Sequence, residues 1–589
     1  MDGAKRLRAS ACKNCRLRKR RCIPNPPPAG CQLCQSLGIP CTLSPSAARP
    51  VFSQLSHIPT GQDVDPSCVD ERLHLFVCTE LAVLYFRFIH NVMNTIFHST
   101  SFMRRLSEGS ASKIVVYAIC ALSARYSHHQ TLKATPPSER GKIYADEAFR
   151  LLRPKLVIPS LETVQACLLL GQFLGGEGEY RTKHIYVGIA RLHAEVIRLW
   201  EIPDDLPVVD REERRRTWLT VRISYQWSAT DMGTGPIAVP CSQLSLPCVD
   251  DLSFHTGPAA GLQEGSSAVG PQYGLWCQMA GTLEIFDKVA SLLRRLSQSD
   301  GISFTTYCSE APLLAQQLRQ WANDLPENLQ YSIFNLQSLS ELGLGRTFLA
   351  MHIGYHHFYQ MLYFPFLHIS VAPGSEHLAL GSNFFRDCAL ECKNSANTVS
   401  EIVQTASTKK DCELLCHLYA HITVVSSCVH LHTLLLSEDA KELEMARERL
   451  LLNFRYLTIL KAYWPAVDRS AHRLRVFQNL CMDSISNPFA LDNWMARFLT
   501  EPTSIIAERE DMMFAIPSMG QPEISTLLQS TQDTSGVAIT TDTTDPLGEW
   551  SLSTVPGFDS DSSMFSSLLN DRDLTTEDLV KNSLEWLLE

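Results

Sequence analysis

The sequence predicts a mainly α chain built from three unlike parts: a small cysteine-rich head, a large all-helical domain and a disordered acidic C-terminal tail. Three observations carry that reading. Six cysteines fall within the first 41 residues. From about residue 73 to about 500 apolar residues recur at helical spacing, while strand-like alternation with hairpin signals is scarce. Beyond residue 501 the composition turns to Ser, Thr, Asp and Gly, which bury too little apolar area to offset ordering entropy. The divisions fall at 1–45 for the head, 46–72 for a proline-containing linker, 73–500 for the helical domain and 501–589 for the tail.

The head is defined by its register. Cys12, Cys15, Cys22, Cys31, Cys34 and Cys41 follow C-x2-C-x6-C-x8-C-x2-C-x6-C, two copies of one half-motif. Two cysteines two residues apart place both thiolates on one metal at the start of a helical turn, and a third six residues later returns to the same ion. Each half supplies three sulfurs and zinc takes four ligands, so six sulfurs serve two Zn2+ ions only if two thiolates bridge. A module of about 35 residues cannot fold on its apolar core alone. Structural zinc supplies the missing stability, on the order of 10 kcal/mol or more. Two other readings of the cysteines stand beside this one, a protein-binding zinc module and a disulfide framework, for which six cysteines allow about 15 pairings. Met1 to Arg8 are polar and basic with no apolar signal-peptide core, so a reducing compartment is expected and disulfides are disfavoured.

The stretch Cys12-Lys13-Asn14-Cys15-Arg16-Leu17-Arg18-Lys19-Arg20-Arg21-Cys22, with its cysteine-matched second half, resembles the fungal zinc binuclear cluster (Zn2Cys6) transcription factors. That resemblance implies that Cys12 and Cys31 bridge, that Cys15 and Cys22 complete one ion, and that Cys34 and Cys41 complete the other. It also implies that the first helix enters the major groove of double-stranded DNA. Arg18 and Lys19 then occupy the positions that read base edges of a CGG-like triplet, and Lys13, Arg16, Arg20 and Arg21 are set against phosphates. The chemistry is sound in itself, since Arg and Lys donate to the O6 and N7 acceptors of guanine. Gly38 and Pro40 match the second half of the pattern, whereas the Pro26-Pro27-Pro28 run departs from the family's more usual single loop proline.

Charge along the chain agrees. Residues 1 to 45 hold nine Lys or Arg against one acid, Asp2, a formal +8 in a chain whose total is −10. Six thiolates and two zinc ions lower the local figure to about +6. Such a patch draws the head to phosphate and makes binding fall with salt, by roughly 0.9 log units per log salt for each phosphate neutralised. Lys5, Arg6 and Arg8 with Arg16 to Arg21 also read as a nuclear import signal, so the nucleus is the expected location.

The linker carries Pro45, Pro50, Pro59 and Pro66 in and around it. Each proline removes a backbone donor and blocks the preceding turn, so no uninterrupted heptads follow the cysteines. A coiled-coil dimer just after the head is not expected; the chain binds as a monomer, or a homodimer forms through the middle domain.

Within that domain Leu73, Phe76, Val77, Leu81, Leu84, Phe88 and Val92 fall on or near one helix face, and similar stretches recur at Leu161 to Phe173, Lys183 to Trp200 and Arg346 to Phe364. Three segments resemble the fungal-specific transcription factor middle domain: Tyr85-Phe86-Arg87-Phe88-Ile89-His90 with the later His98-Ser99-Thr100-Ser101-Phe102; Ile185-Tyr186-Val187-Gly188-Ile189-Ala190-Arg191-Leu192; and Asp210 to Trp218. The resemblance implies a regulatory role. Asp210 followed by Glu213 reads as a capping box, with the arginines behind them on a solvated helix face. The longest apolar run noted, Val115 to Ala124, is far short of the roughly 18 residues that cross a bilayer, so the chain is read as soluble with no membrane partner.

Signals for catalysis are absent. His352 and His356 lack the Glu of an H-E-x-x-H motif, and neither a phosphate loop nor a G-x-S-x-G elbow occurs. Cys388 with Cys392 and Cys412 with Cys416 sit one helical turn apart and read as buried thiols. No enzyme is expected.

From Thr540 to Glu589 eleven acids face two cations, a formal −9, with bulky apolar residues interspersed. Phe565, Leu568 and Leu569, and Leu584, Trp586, Leu587 and Leu588, suit one face of an induced helix entering a coactivator groove, the pattern of an activation domain. An inert solubilising tail, or a helix docked on the middle domain, would use the same residues. The functional expectation is a zinc-dependent, sequence-specific regulator of RNA polymerase II transcription that activates its targets. A repressor, or a ligand sensor or enzyme that the cluster only targets to chromatin, are the alternatives.

Overall fold

The computed structural model describes residues 31–32, 66–233, 246–258, 262, 274–298, 301–369, 382–484 and 493–501. The chain divides into two compact units, 1–72 and 73–589. Among the described residues of the second unit the secondary structure is helical with no strand.

The first helix, α1 (Pro66–Phe88), begins inside the stretch read from the sequence as linker. A proline at the first helical position is no obstacle, because the N–H it lacks has no intrahelical acceptor there. Its buried face runs through Val77, Cys78, Leu81, Ala82, Tyr85 and Phe88. Phe76, expected on that face, is 62% exposed. It lies one residue, and so about 100° of helical turn, from Val77. Asn91 takes a left-handed conformation (φ 63°) that ends the helix and turns the chain toward Val92, which is buried without belonging to the helix.

Next come α2 (Ser99–Ser107), α3 (Lys113–Ser123), the single turn α4 (Gln130–Lys133) and α5 (Lys142–Leu152). Helices α6 (Leu161–Gly176) and α7 (Tyr180–Val196) form a hairpin, with α8 (Val208–Asp231) packed on α7 and the short α9 (Asp251–Thr256) on α2. The second half holds α10 (Leu275–Ser297), α11 (Phe304–Asp324), α12 (Ile333–Glu341), α13 (Gly345–Ile369) and α14 (Ser382–Thr408). It closes with α15 (Leu418–Leu436), α16 (Ala440–Tyr463), α17 (Ala466–Ser484) and α18 (Asn493–Thr500). The helical runs expected at 161–173, 183–200 and 346–364 correspond to α6, α7 and α13.

Local chemistry sets many of the starts. Ser160, Ser303, Ser332 and Asp439 cap α6, α11, α12 and α16, their side-chain oxygens accepting backbone N–H groups at 2.8–3.2 Å. One continuous core, from Val77 to Leu499, joins nearly all these helices. At its centre lies α15, packed against α13, α14, α16 and α17. This helix is long and apolar enough to cross a membrane by length and composition, and 83% of that window is buried inside the protein. Ser, Thr and His interrupt its apolar residues without adding charge, so it offers no apolar run as long as Val115 to Ala124.

Candidate functional site

Of the residues expected to hold zinc, Cys31 alone lies among the described residues, and its side chain is fully buried. Cys12, Cys15, Cys22, Cys34 and Cys41 lie outside them, as do Lys13, Arg16, Arg18, Lys19, Arg20 and Arg21 and the tail residues Phe565, Leu568, Leu569, Leu584, Trp586, Leu587 and Leu588. What fits zinc is the donor set itself: six thiols in paired C-x2-C-x6-C register, soft ligands in the number that two bridged tetrahedral ions require.

Among the described residues of the helical domain, two ionic centres that sequence reasoning missed are each built on a fully buried arginine. The first is built on α8. Arg216 is fully buried and uses its whole fork: Nε donates to Glu212 Oε1 at 2.8 Å, Nη1 to Asp251 Oδ1 at 2.7 Å and to Thr95 Oγ1 at 2.8 Å, and Nη2 to the Val249 carbonyl at 2.8 Å. Its guanidinium also lies over the Phe254 ring at 4.2 Å. Burial works against the charge, but Asp251 and Glu212 outweigh it and hold the Arg216 pKa above its ordinary value. Glu212 Oε2 accepts the Cys248 N–H and Asp251 Oδ2 the Trp276 N–H, so the pair also ties down the backbone of 246–251 and the start of α10.

Glu213, one residue on, accepts the His98 N–H and the Arg105 guanidinium, each at 3.0 Å, while burial pushes its carboxyl pKa up. His98 caps α2 through Nδ1, which accepts the Ser101 N–H at 3.2 Å, and its Nε2 meets the Gly257 carbonyl at 2.9 Å. The Asp210 to Trp218 segment therefore differs from expectation in two ways. Helix α8 starts at Val208 behind Pro207 with no side-chain cap, so there is no capping box. Glu212, Glu213 and Arg216 face inward rather than to solvent. The i, i+4 spacing of Glu212 and Arg216 was the available signal, and it was outweighed by the general habit of charge runs to be solvated.

The second centre is Arg125, also fully buried. Its Nη1 donates to the Tyr463 carbonyl at 2.6 Å, Nε to the Leu122 carbonyl at 3.1 Å and Nη2 to Glu177 Oε1 at 3.3 Å. Burial lowers the Arg125 pKa and raises that of Glu177.

Both centres are saturated by protein groups, which makes them fasteners. Among the described residues no cluster of three or more His, Cys, Asp or Glu is placed to hold a metal ion. His352 is a core histidine, its Nε2 on the Leu329 carbonyl at 2.9 Å. Cys388, Cys392, Cys412 and Cys416 are buried thiols, and burial pushes Cys388 and Cys416 up to about 12.

Comparison with known proteins adds what the geometry leaves open. The model of the fungal Zn(2)-Cys(6) binuclear cluster domain matches residues 10–50, and that of the fungal specific transcription factor domain matches residues 83–331. A cluster of the first kind binds two zinc ions. An uncharacterized transcriptional regulatory protein of Schizosaccharomyces pombe is 27% identical over 305 residues, covering 47% of this chain and 31% of its own length. The Zn(2)-C6 fungal-type transcription factor FTF1c of Fusarium oxysporum f. sp. lycopersici is 24% identical over 442 residues, 69% of this chain and 46% of its own. The chain thus spans less than half the length of these curated relatives. No solved structure matches.

Proposed function

Since the chain belongs to the fungal Zn(2)-Cys(6) transcription factors, we infer that it is a nuclear, zinc-dependent regulator that binds DNA sequence-specifically and acts on RNA polymerase II transcription. Its two domains are those of a transcription factor and not of an enzyme. One observation carries the reading: the doubled C-x2-C-x6-C register with every cation of the head's two half-motifs in the first copy, inside the matched cluster domain. Arg18 and Lys19 read a CGG-like triplet, and Lys13, Arg16, Arg20 and Arg21 hold phosphates. The acidic tail activates by presenting Phe565, Leu568 and Leu569, and Leu584, Trp586, Leu587 and Leu588, to a coactivator groove.

Selection of bound oligonucleotides from a random pool with the full chain tests the DNA reading. A CGG-containing consensus is expected. Lys19→Ala should relax base preference at one position, whereas Arg16→Ala should weaken all sequences alike and flatten the salt dependence by about one unit of slope. Recovery of no consensus, or equal loss of specificity in both variants, overturns this division of roles. The tail is tested by fusing residues 501–589 to an unrelated DNA-binding domain, where a silent reporter removes the case for activation.

A further inference from the structure

Helix α7 carries an apolar stripe that the other described residues leave uncovered. Ile185, Leu192 and Val196 are 59%, 57% and 59% exposed. Their i, i+7, i+11 spacing puts them on one side of the helix, over about 16 Å. Between them sits Gly188, where an added Cβ would meet no atom within 4 Å. Nothing among the described residues therefore calls for a glycine there, in a helix interior where glycine costs stability. The loop bearing Val157 and Ile158, themselves 86% and 58% exposed, is fastened to the same helix by His193, whose Nε2 meets the Leu156 carbonyl at 2.9 Å. An uncovered apolar band with a gap at its middle has the character of a contact surface.

The charges on the helix select the occupant. Arg181 is exposed at the N-terminal end of the stripe, and Glu195, bonded to Arg191 at 2.7 Å, stands at the C-terminal end. Arg181 and Glu195 each lie seven residues from Gly188. The helix is thus complementary to itself when reversed. We propose that two copies of the chain associate through this face, with α7 antiparallel to the partner's α7 and Gly188 near the two-fold axis. In that arrangement Ile185 packs on the partner's Leu192, Arg181 reaches the partner's Glu195, and the missing side chains at Gly188 let the two helices approach closely. On the DNA-binding reading above, two copies deliver two basic heads, and the preferred site consists of two half-sites rather than one.

Sedimentation of the full chain without DNA is the test, so its outcome does not depend on whether the DNA reading holds. A mass near twice 66.0 kDa is expected at micromolar concentration. Leu192→Asp should weaken self-association by about 30-fold or more, as charge at the centre of an interface does. Gly188→Ala separates interface from fold: it should raise the melting temperature of the dissociated chain while weakening association. Arg181→Glu should weaken association, and adding Glu195→Arg should restore it. A single-chain mass for the unaltered protein overturns the proposal, as does a dimer indifferent to Leu192→Asp and Gly188→Ala. Failure of the charge swap to restore association overturns the antiparallel register.

Discussion

The guanidinium of Arg125 lies 3.7 Å from the ring centroid of Trp464, and both side chains are fully buried. Trp464 is itself held by its indole N–H, which donates to the Leu415 carbonyl at 2.8 Å, the same oxygen that accepts the Tyr126 hydroxyl at 2.6 Å. The stack therefore joins the end of α3 to the end of α16 and to the loop before α15. A cation buried over a ring gains about 2 kcal/mol or more from it.

Gly176, at the end of α6, lies against the edge of that indole, and a Cβ there would overlap the ring. Because Trp464 is pinned by its hydrogen bond, it cannot yield as a flexible side chain would. Gly176→Ala is expected to destabilise the helical domain by about 1–3 kcal/mol, the usual cost of overpacking. Thermal unfolding followed by tryptophan fluorescence reads it, and an unchanged midpoint would show that the ring is free to shift.

Arg216 makes a sharper prediction. Removing the guanidinium leaves Glu212 and Asp251 buried together, with only Arg215, 3.6 Å from Glu212 Oε2, still close to the pair. Such a break costs about 3–5 kcal/mol. Arg216→Met should lower the melting temperature and raise hydrogen exchange at Cys248 and Trp276, whose amides the two carboxylates accept. Lys288→Ala, which removes an exposed pair with Glu284, should leave both readouts where they are.

These two centres mark where the sequence was and was not legible. Helical periodicity located α6, α7 and α13 because their apolar residues repeat at the spacing that the core demands. The same rule misplaced Phe76, since a wide apolar face read from spacing alone does not say which edge the neighbours cover. The Arg216 centre was hidden for a different reason: Asp251 and Thr95 are distant in sequence, and a charge run declares its burial only once those partners are known. Pro66 was read as a helix breaker, although the first turn is where proline is tolerated. The proposed DNA-reading and tail residues, being outside the described residues, rest on sequence pattern and family alone.

Buried histidines give the domain an acid-sensitive stability. Burial lowers His352 to about 4 and His356, His357 and His430 to about 3. In the unfolded chain these groups titrate near 6.5, so below that pH the unfolded state takes up protons that the folded state refuses. Stability is therefore full above pH 6.5 and declines as pH falls toward 4, by about 1.4 kcal/mol per unit for each histidine. Glu177 and Glu213, whose carboxyls burial pushes up, act in the opposite sense just above their ordinary range. The histidines outnumber them, so the melting temperature should hold between pH 7.5 and 6.5 and drop by pH 5.5. A flat profile down to pH 5 would mean that the imidazoles reach water.

Metal removal should separate the head from the rest of the chain. The core from Val77 to Leu499 is apolar and continuous, and the described residues include no metal-binding cluster, so the described helices are expected to stand without zinc. The head is in the contrary position, with too few residues to fold on apolar burial. Stripping the full chain with a strong chelator is expected to release two zinc ions per chain and abolish DNA binding. The far-UV circular dichroism and melting temperature of the helical domain should stay almost unchanged. Zinc added back under reducing conditions should restore binding, because the thiols must be free to ligate. If chelation instead melts the helices, a metal site lies outside the six cysteines; if binding survives chelation, the cysteine register has been misread.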